Sequence, residues 1–203
     1  MTDLDNAYAL KGPEDCARLY ADWAASYDSE FALDNDYLLP AHVAAAFRTH
    51  GGSGPVLDVG AGTGLLAQKL RAMGNADPVD ALDLSPQMLE RASQKGIYDH
   101  LIAADITQPL SLPRRYSGFV SSGTFTHGHV GPDALDNLEQ HAAPHALFAV
   151  SINAGVFRSM GFDEALGQRV NVTLLEVPIY GPAAKDVAHA ADRALIALWR
   201  HPG

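Results

Sequence analysis

The sequence predicts an α/β protein: a Rossmann-like, doubly wound sheet of about seven strands, mostly parallel, with an antiparallel C-terminal strand and a helical N-terminal lid. Three observations predict it. Between Pro55 and Ile152, short valine- and leucine-rich runs alternate with segments of helical spacing. The first of these runs ends in a cluster of glycines that leads directly into a helix. The tail carries two strand-like runs with irregular sequence between them, which suits an antiparallel ending.

The elements follow in chain order. Cys16, Leu19, Tyr20, Trp23 and Tyr27 recur at helical spacing and predict a helix from Pro13 to Ser26. A second helix is expected from about Asp36 to Thr49, with Pro40 in its first turn, where proline is tolerated. Glycines 51, 52 and 54 with Pro55 then break the chain. Pro55 to Val59 reads as a strand, Leu65 to Arg71 as a helix and Val79 to Asp83 as the next strand. Ser85 is a good N-cap, and Pro86 fits the first helical position of a helix that carries Met88, Leu89 and Ala92 inward and stops at Gly96. Residues 100–105, 118–122 and 146–152 read as further strands, and 133–142 as a helix. Runs 170–179 and 194–199 complete the sheet. The expected organisation is one domain over residues 1–203: a lid over 1–50, a ligand-binding core over 51–155 and C-terminal strands over 156–203.

Composition narrows the function classes. A chain of 203 residues, 47% hydrophobic, can bury one sizeable core. The net charge of −10 opposes a phosphate backbone, and Arg114-Arg115 is too short a basic patch to reverse that. No nucleic-acid partner is expected. Cys16 is the only cysteine, so neither an intramolecular disulfide nor a cysteine-based zinc site is available. The start is acidic and lacks a leader-like apolar run, and no stretch is long and apolar enough to span a bilayer. A cytoplasmic protein without a membrane partner is expected. The sequence does not indicate an oligomeric state.

In an open parallel sheet, ligands bind beyond the carboxyl ends of the strands, where the strand order reverses. The first strand here ends in Gly60-Ala61-Gly62-Thr63-Gly64, a turn whose glycines let the backbone approach a ligand. Such a turn also occurs at ordinary strand-to-helix junctions. The acids raise the signal. Asp83 ends the second strand, where a carboxylate can accept from both hydroxyls of a ribose. Asp105 ends the third, where it can accept from an exocyclic adenine amine. Asp58 lies inside the apolar first strand, and a buried carboxylate is costly unless it is paired. A dinucleotide site wants G-x-G-x-x-G, and here Leu65 stands where the third glycine belongs. S-adenosylmethionine has no phosphate, so a tight turn beneath its methionine part is sufficient.

The runs VLDVGAGTG, ALDLSPQML and AADI resemble the successive motifs of class I S-adenosylmethionine-dependent methyltransferases. The segments SGTFTHGHV, from Ser122, and YADWAASYD, from Tyr20, are similar to the Williams–Beuren syndrome region methyltransferase-like proteins. That likeness covers roughly residues 17–152. Ala143-Pro144-His145 departs from the usual Pro-Gly-Gly before the fifth strand and is expected to alter one turn. The resemblance implies a place for each residue. Gly60, Ala61 and Gly62 would lie against the methionine part, with Asp58 and Gly64 in the same cofactor site. Asp83 would hold the ribose, with Leu84 and Met88 flanking the adenine. Asp105 and Ile106 would meet the adenine amine and face. Ser121 and Ser122 would border the reactive methyl. Tyr20, Trp23 and Tyr27 would form part of a lid that closes over the cofactor.

Methyl transfer from an activated sulfonium needs chiefly positioning, and a base only where the acceptor loses a proton. His127 and His129 follow the fourth strand on the ligand side, and His127 is the better candidate for contact with an acceptor. Their spacing lacks an evident third ligand, so no metal is expected. His141, His145, His189 and His201 read as scattered surface residues. The expectation is an enzyme that methylates a small molecule. A non-catalytic S-adenosylmethionine binder or regulatory protein is the alternative, and an NAD-dependent oxidoreductase is a weaker one.

Overall fold

The computed structural model describes residues 27–127, 130–186 and 188–203. The helix expected over residues 13–26, with Tyr20 and Trp23, and His129 lie outside the described residues. A turn of π-helix, Tyr27–Ala32, is followed by α1, Leu39–Thr49. The remaining elements are β1 (Val56–Val59), α2 (Leu65–Ala72), β2 (Val79–Asp83), α3 (Pro86–Ser93), β3 (His100–Ala103) and β4 (Tyr116–Phe125), then α4 (Asp133–Glu139), β5 (Ala142–Asn153), α5 (Phe162–Gly167), β6 (Thr173–Pro178) and β7 (Arg193–Arg200). The seven strands form one sheet in the order β3-β2-β1-β4-β5-β7-β6. Strands β1 to β5 pair in parallel, and β7 runs antiparallel to both its neighbours.

The expected doubly wound sheet is therefore present. From β1 the chain steps outward through β2 to β3, then crosses back to place β4 on the other side of β1. The order reverses between β1 and β4, and the crevice above their carboxyl ends is where such folds bind ligands.

Both faces of the sheet are covered, which explains why all four residues of β1 are buried. On one face Phe119, Phe148 and Trp199 stack in succession, with ring centroids 4.2 and 4.5 Å apart. The other face packs Val56, Val120 and Leu198 against Val43 and Phe47 of α1 and Leu66 and Leu70 of α2. Pro40 sits in the first turn of α1, as expected. The Ser85 hydroxyl accepts from Met88 N at 3.3 Å and caps α3.

The structure corrects several boundaries. β4 is longer than residues 118–122, and β3 stops at Ala103. α4 ends at Glu139, and β5 already begins at Ala142, paired with Tyr116. The Ala143-Pro144-His145 segment is thus inside a strand. The irregularity appears as a register shift between Tyr116 and Gly118, and His145 adopts φ +62. The sequence did not predict α5, whose Phe162 and Leu166 are buried. Six residues are too few to display a helical period.

Candidate active site

The turn after β1 passes through three left-handed positions, Gly60, Gly62 and Gly64, with φ of +65, +55 and +91. A side chain at Gly60 would overlap the Thr124 hydroxyl, and one at Gly64 would press on the Tyr98 ring. Four of the turn's five amides have partners within the protein. Gly60 N and Ala61 N donate to the Leu82 carbonyl at 2.8 and 3.0 Å, and Gly64 N donates to the Ala61 carbonyl at 2.9 Å. Gly62 N donates to Asp83 Oδ2 at 2.7 Å.

Asp58 is 1% exposed beneath this turn. It accepts from Tyr98 Oη at 2.6 Å and from the amide of Ala67 in the first turns of α2. A carboxylate therefore already faces the positive end of that helix. Burial pushes its pKa up to about 7, the Tyr98 bond opposes this, and the nearby Asp83 charge adds to it. The Tyr98 hydroxyl is held well above its ordinary pKa by burial and by the two carboxylates. Sequence reasoning missed Tyr98. The need of a buried carboxylate for a partner signalled that some donor existed, but the donor arrives from the loop before β3.

Asp83 is partly exposed, and both its oxygens are fixed: Oδ2 by Gly62 N and Oδ1 by Ser85 N at 2.8 Å. Burial raises its pKa while these amide bonds pull it back. The Leu84 amide bonds this carboxylate as well, and of its roughly four acceptor sites one is left for a further donor. Leu84, beside it, is 36% exposed. Asp105 is partly exposed and uses Oδ1 to accept from the Thr107 amide and hydroxyl at 2.8 and 2.7 Å, so it also shapes its loop.

Three of the expected contacts are buried. Met88 and Ile106 are buried, with Ile106 packed in the core among Leu57, Val59 and Leu82. Ser121 is buried too, and its hydroxyl donates to the Val59 carbonyl at 2.8 Å, tying β4 to β1. Ser122 remains partly exposed. Thr124 stands over Gly60, its hydroxyl donating to the Val59 carbonyl at 3.1 Å and accepting from Ser121 Oγ at 3.0 Å.

Tyr27 stacks on Phe31 with centroids 4.8 Å apart, and Phe31 meets Tyr37 edge-on at 5.6 Å. Tyr37 in turn lies over Gly123 of β4, where an added Cβ would stand 2.6 Å from its hydroxyl. The aromatic group thus reaches from Tyr27 to the end of β4.

His127 is partly buried, with Nε2 3.4 Å from where a Cβ on Gly155 would stand. Burial lowers its pKa, the Asp192 carboxylate raises it and His189 lowers it. His189 is not the surface residue that the sequence suggested. It is 18% exposed, and its Nδ1 lies 3.1 Å from Asp192 Oδ2. His141 and His201 are also partly buried, whereas His145 is exposed.

Comparison with known proteins bears on this geometry. Residues 56–147 match the family described as "Methyltransferase domain". Those residues, 92 of the 203, are similar to a methyltransferase domain. The matched residues run from β1 into β5 and include the glycine turn, Asp83 and Asp105. Human methyltransferase-like protein 27 is 34% identical over 126 residues, 59% of this chain and 50% of that protein. The chain therefore spans about half the length of that relative. Two solved methyltransferases share the fold. The N-methyltransferase NodS from Bradyrhizobium japonicum WM9, in complex with S-adenosyl-L-homocysteine, is 19% identical with a TM-score of 0.66, over 92% of this chain and 98% of that one. The 1,6-didemethyltoxoflavin-N1-methyltransferase of Burkholderia thailandensis is 19% identical with a TM-score of 0.60, over 96% of this chain and 92% of that one.

Proposed function

We propose that this methyltransferase domain transfers a methyl group from S-adenosylmethionine to a small-molecule acceptor. The amides of Gly60, Ala61, Gly62 and Gly64, already bonded within the protein, with Asp58 and Asp83 around them, carry the reading. A pyrophosphate needs outward amides at a helix N-terminus. Here that end of α2 is already matched by a carboxylate, so a second anion is disfavoured. A phosphate-free ligand with a positive sulfur and a ribose fits both features.

Asp83 would hold the ribose hydroxyls, with the exposed face of Leu84 beside the adenine and Asp105 at its amine. The glycine turn would lie under the methionine part. Bound there, the cofactor supplies an activated methyl group. The domain's own contribution is orientation, which can lower such a barrier by about 7–11 kcal/mol. A small acceptor is supported by the bound 1,6-didemethyltoxoflavin of the Burkholderia enzyme. The net charge of −10 supports a role without nucleic acid.

Calorimetric titration with S-adenosylmethionine, S-adenosylhomocysteine and NAD tests this directly. The first two are expected to bind and NAD is not. NAD binding without S-adenosylmethionine binding would overturn the reading. A non-catalytic binder would bind both methyl-donor ligands but form no S-adenosylhomocysteine from any small-molecule fraction.

A further inference from the structure

Tyr98 reaches the glycine turn from the loop between α3 and β3, and that loop is fixed on both sides of it. On one side, Arg71 of α2 donates from Nη2 to the Ile97 carbonyl at 2.8 Å. On the other, Asp99 N donates to the Val79 carbonyl at 2.8 Å, and Asp99 Oδ2 accepts from Val79 N at 2.9 Å, which ties the loop to the start of β2. The Tyr98 ring packs with Ala61, Ala81 and Leu89. An added Cβ on Gly64 would stand 3.0 Å from Tyr98 Cε2 and 3.2 Å from its Oη. The ring therefore fills the space that a side chain at the end of the turn would need.

The same residue reaches the carboxylate beneath the turn. Its hydroxyl donates to Asp58 Oδ2 at 2.6 Å, and Asp58 also takes the Ala67 amide. One side chain thus touches the last residue of the turn and holds the group that joins β1 to the start of α2. Asp83, across the turn, is bonded by the amides of Gly62, Leu84 and Ser85. Among the described residues, the donors to both carboxylates are uncharged. We infer that Tyr98 is a positioning residue of the cofactor site: its ring seats the glycine turn, and its hydroxyl favours the charged form of Asp58, so the site prefers cationic S-adenosylmethionine to S-adenosylhomocysteine. This rests on the function proposed above.

Methyl transfer breaks the carbon–sulfur bond with the electron pair staying on sulfur, so the product's sulfur is neutral. Above an ionised Asp58, the loss of that charge weakens the ligand's hold and favours release of the product. Burial works against the charge on Asp58, and the Asp83 carboxylate adds to this, while the Tyr98 and Ala67 bonds favour the charge. The balance lies at about 7. Arg71 is the cation that acts on Tyr98, and β2 and α3 present Ala81 and Leu89 to its ring.

Calorimetric affinities of the full chain for S-adenosylmethionine and S-adenosylhomocysteine, compared from about pH 5.5 to 8.5, test this. The readout is the ratio of the two. In the wild type, preference for S-adenosylmethionine should grow as pH rises through about 7. Tyr98→Phe keeps the ring against Gly64 and removes the donor. It should move that growth to higher pH and lower the preference at pH 7 about threefold or more, with S-adenosylhomocysteine affinity nearly unchanged. Asp58→Asn should abolish the part of the pH dependence that belongs to the protein. The ligands' own groups titrate alike in every variant, so differences among variants isolate it. A loosened turn would weaken both ligands together and leave the ratio unmoved. Tyr98→Ala also removes the ring and should weaken both ligands at every pH. Coincident ratio profiles for wild type and Tyr98→Phe overturn the role of the hydroxyl, and unchanged affinities in Tyr98→Ala overturn that of the ring. Should Tyr98→Phe fail to fold, coincident profiles for wild type and Asp58→Asn overturn the inference. Binding of S-adenosylhomocysteine by the wild type confines such a failure to Tyr98. A wild type that binds neither ligand removes the underlying function instead.

Discussion

At Asp58 the chain keeps a carboxylate where water cannot reach it, and the consequence is a pH dependence with a definite sign. The group ionises near 3.8 when unfolded and at about 7 when folded. The folded state therefore binds the proton more tightly, so this contribution to stability is complete below about pH 3.8 and is lost as pH rises through about 7. Urea midpoints of wild type and Asp58→Asn, compared from pH 5 to 8, should show the wild type losing ground as pH rises. A difference that stays flat would contradict the assignment. Gly60 makes a second prediction at this scale. Gly60→Ala forces a side chain into a left-handed position and onto Thr124, so it should lower stability by at least ~1–2 kcal/mol and weaken S-adenosylhomocysteine binding, measured by denaturation and calorimetry. Asp83 and the glycines stood out in the sequence because each follows or ends a strand marked by its own apolar run. Tyr98 and Asp192 were not. Their partners are 40 residues distant in the case of Tyr98 and Asp58, and only the folded path of the chain brings them together.

Among elements, the joint between α4, α5 and β7 depends on one glutamate. Glu139 Oε1 accepts from Arg169 Nε and from Trp199 Nε1, each at 2.7 Å, while Arg169 also reaches Asp136 at 2.6 Å and lies 5.4 Å over the Trp199 ring. Glu139→Ala leaves an indole N–H and a mostly buried guanidinium short of an acceptor. A loss of about 1–3 kcal/mol is expected in chemical denaturation, with cofactor affinity unchanged because the joint is remote from the glycine turn. The strand–turn–helix unit from Val56 to Ala72 was readable because its hydrophobic period changes at the glycines. The start of β5 was not, because Ala142 pairs with Tyr116 across the sheet and nothing near Ala142 in sequence specifies that partner. α5 escaped for a related reason: Phe162 and Leu166 make a single contact stripe that resembles a loop with two anchors.

For the molecule as a whole, the strand order links ligand binding to global stability. The proposed cofactor site lies over β1 and β2, inside the sheet and away from its edges, so a bound ligand should resist unfolding of the core. At S-adenosylhomocysteine a hundredfold above its dissociation constant, the gain is about 2.7 kcal/mol. The thermal midpoint should therefore rise with S-adenosylhomocysteine and stay unchanged with NAD. The class of fold was visible in the alternation of short apolar runs and helical segments, but the order of the last two strands was not. β7 comes last in the fold yet sits between β5 and β6. Until residues 193–200 are in place, β5 offers a long apolar edge, Leu147 to Ile152, with no neighbour on that side. A chain halted before Arg193 would be a template for intermolecular strand pairing, so nascent or clipped forms of this protein should enter aggregates or engage chaperones while the finished chain stays dispersed.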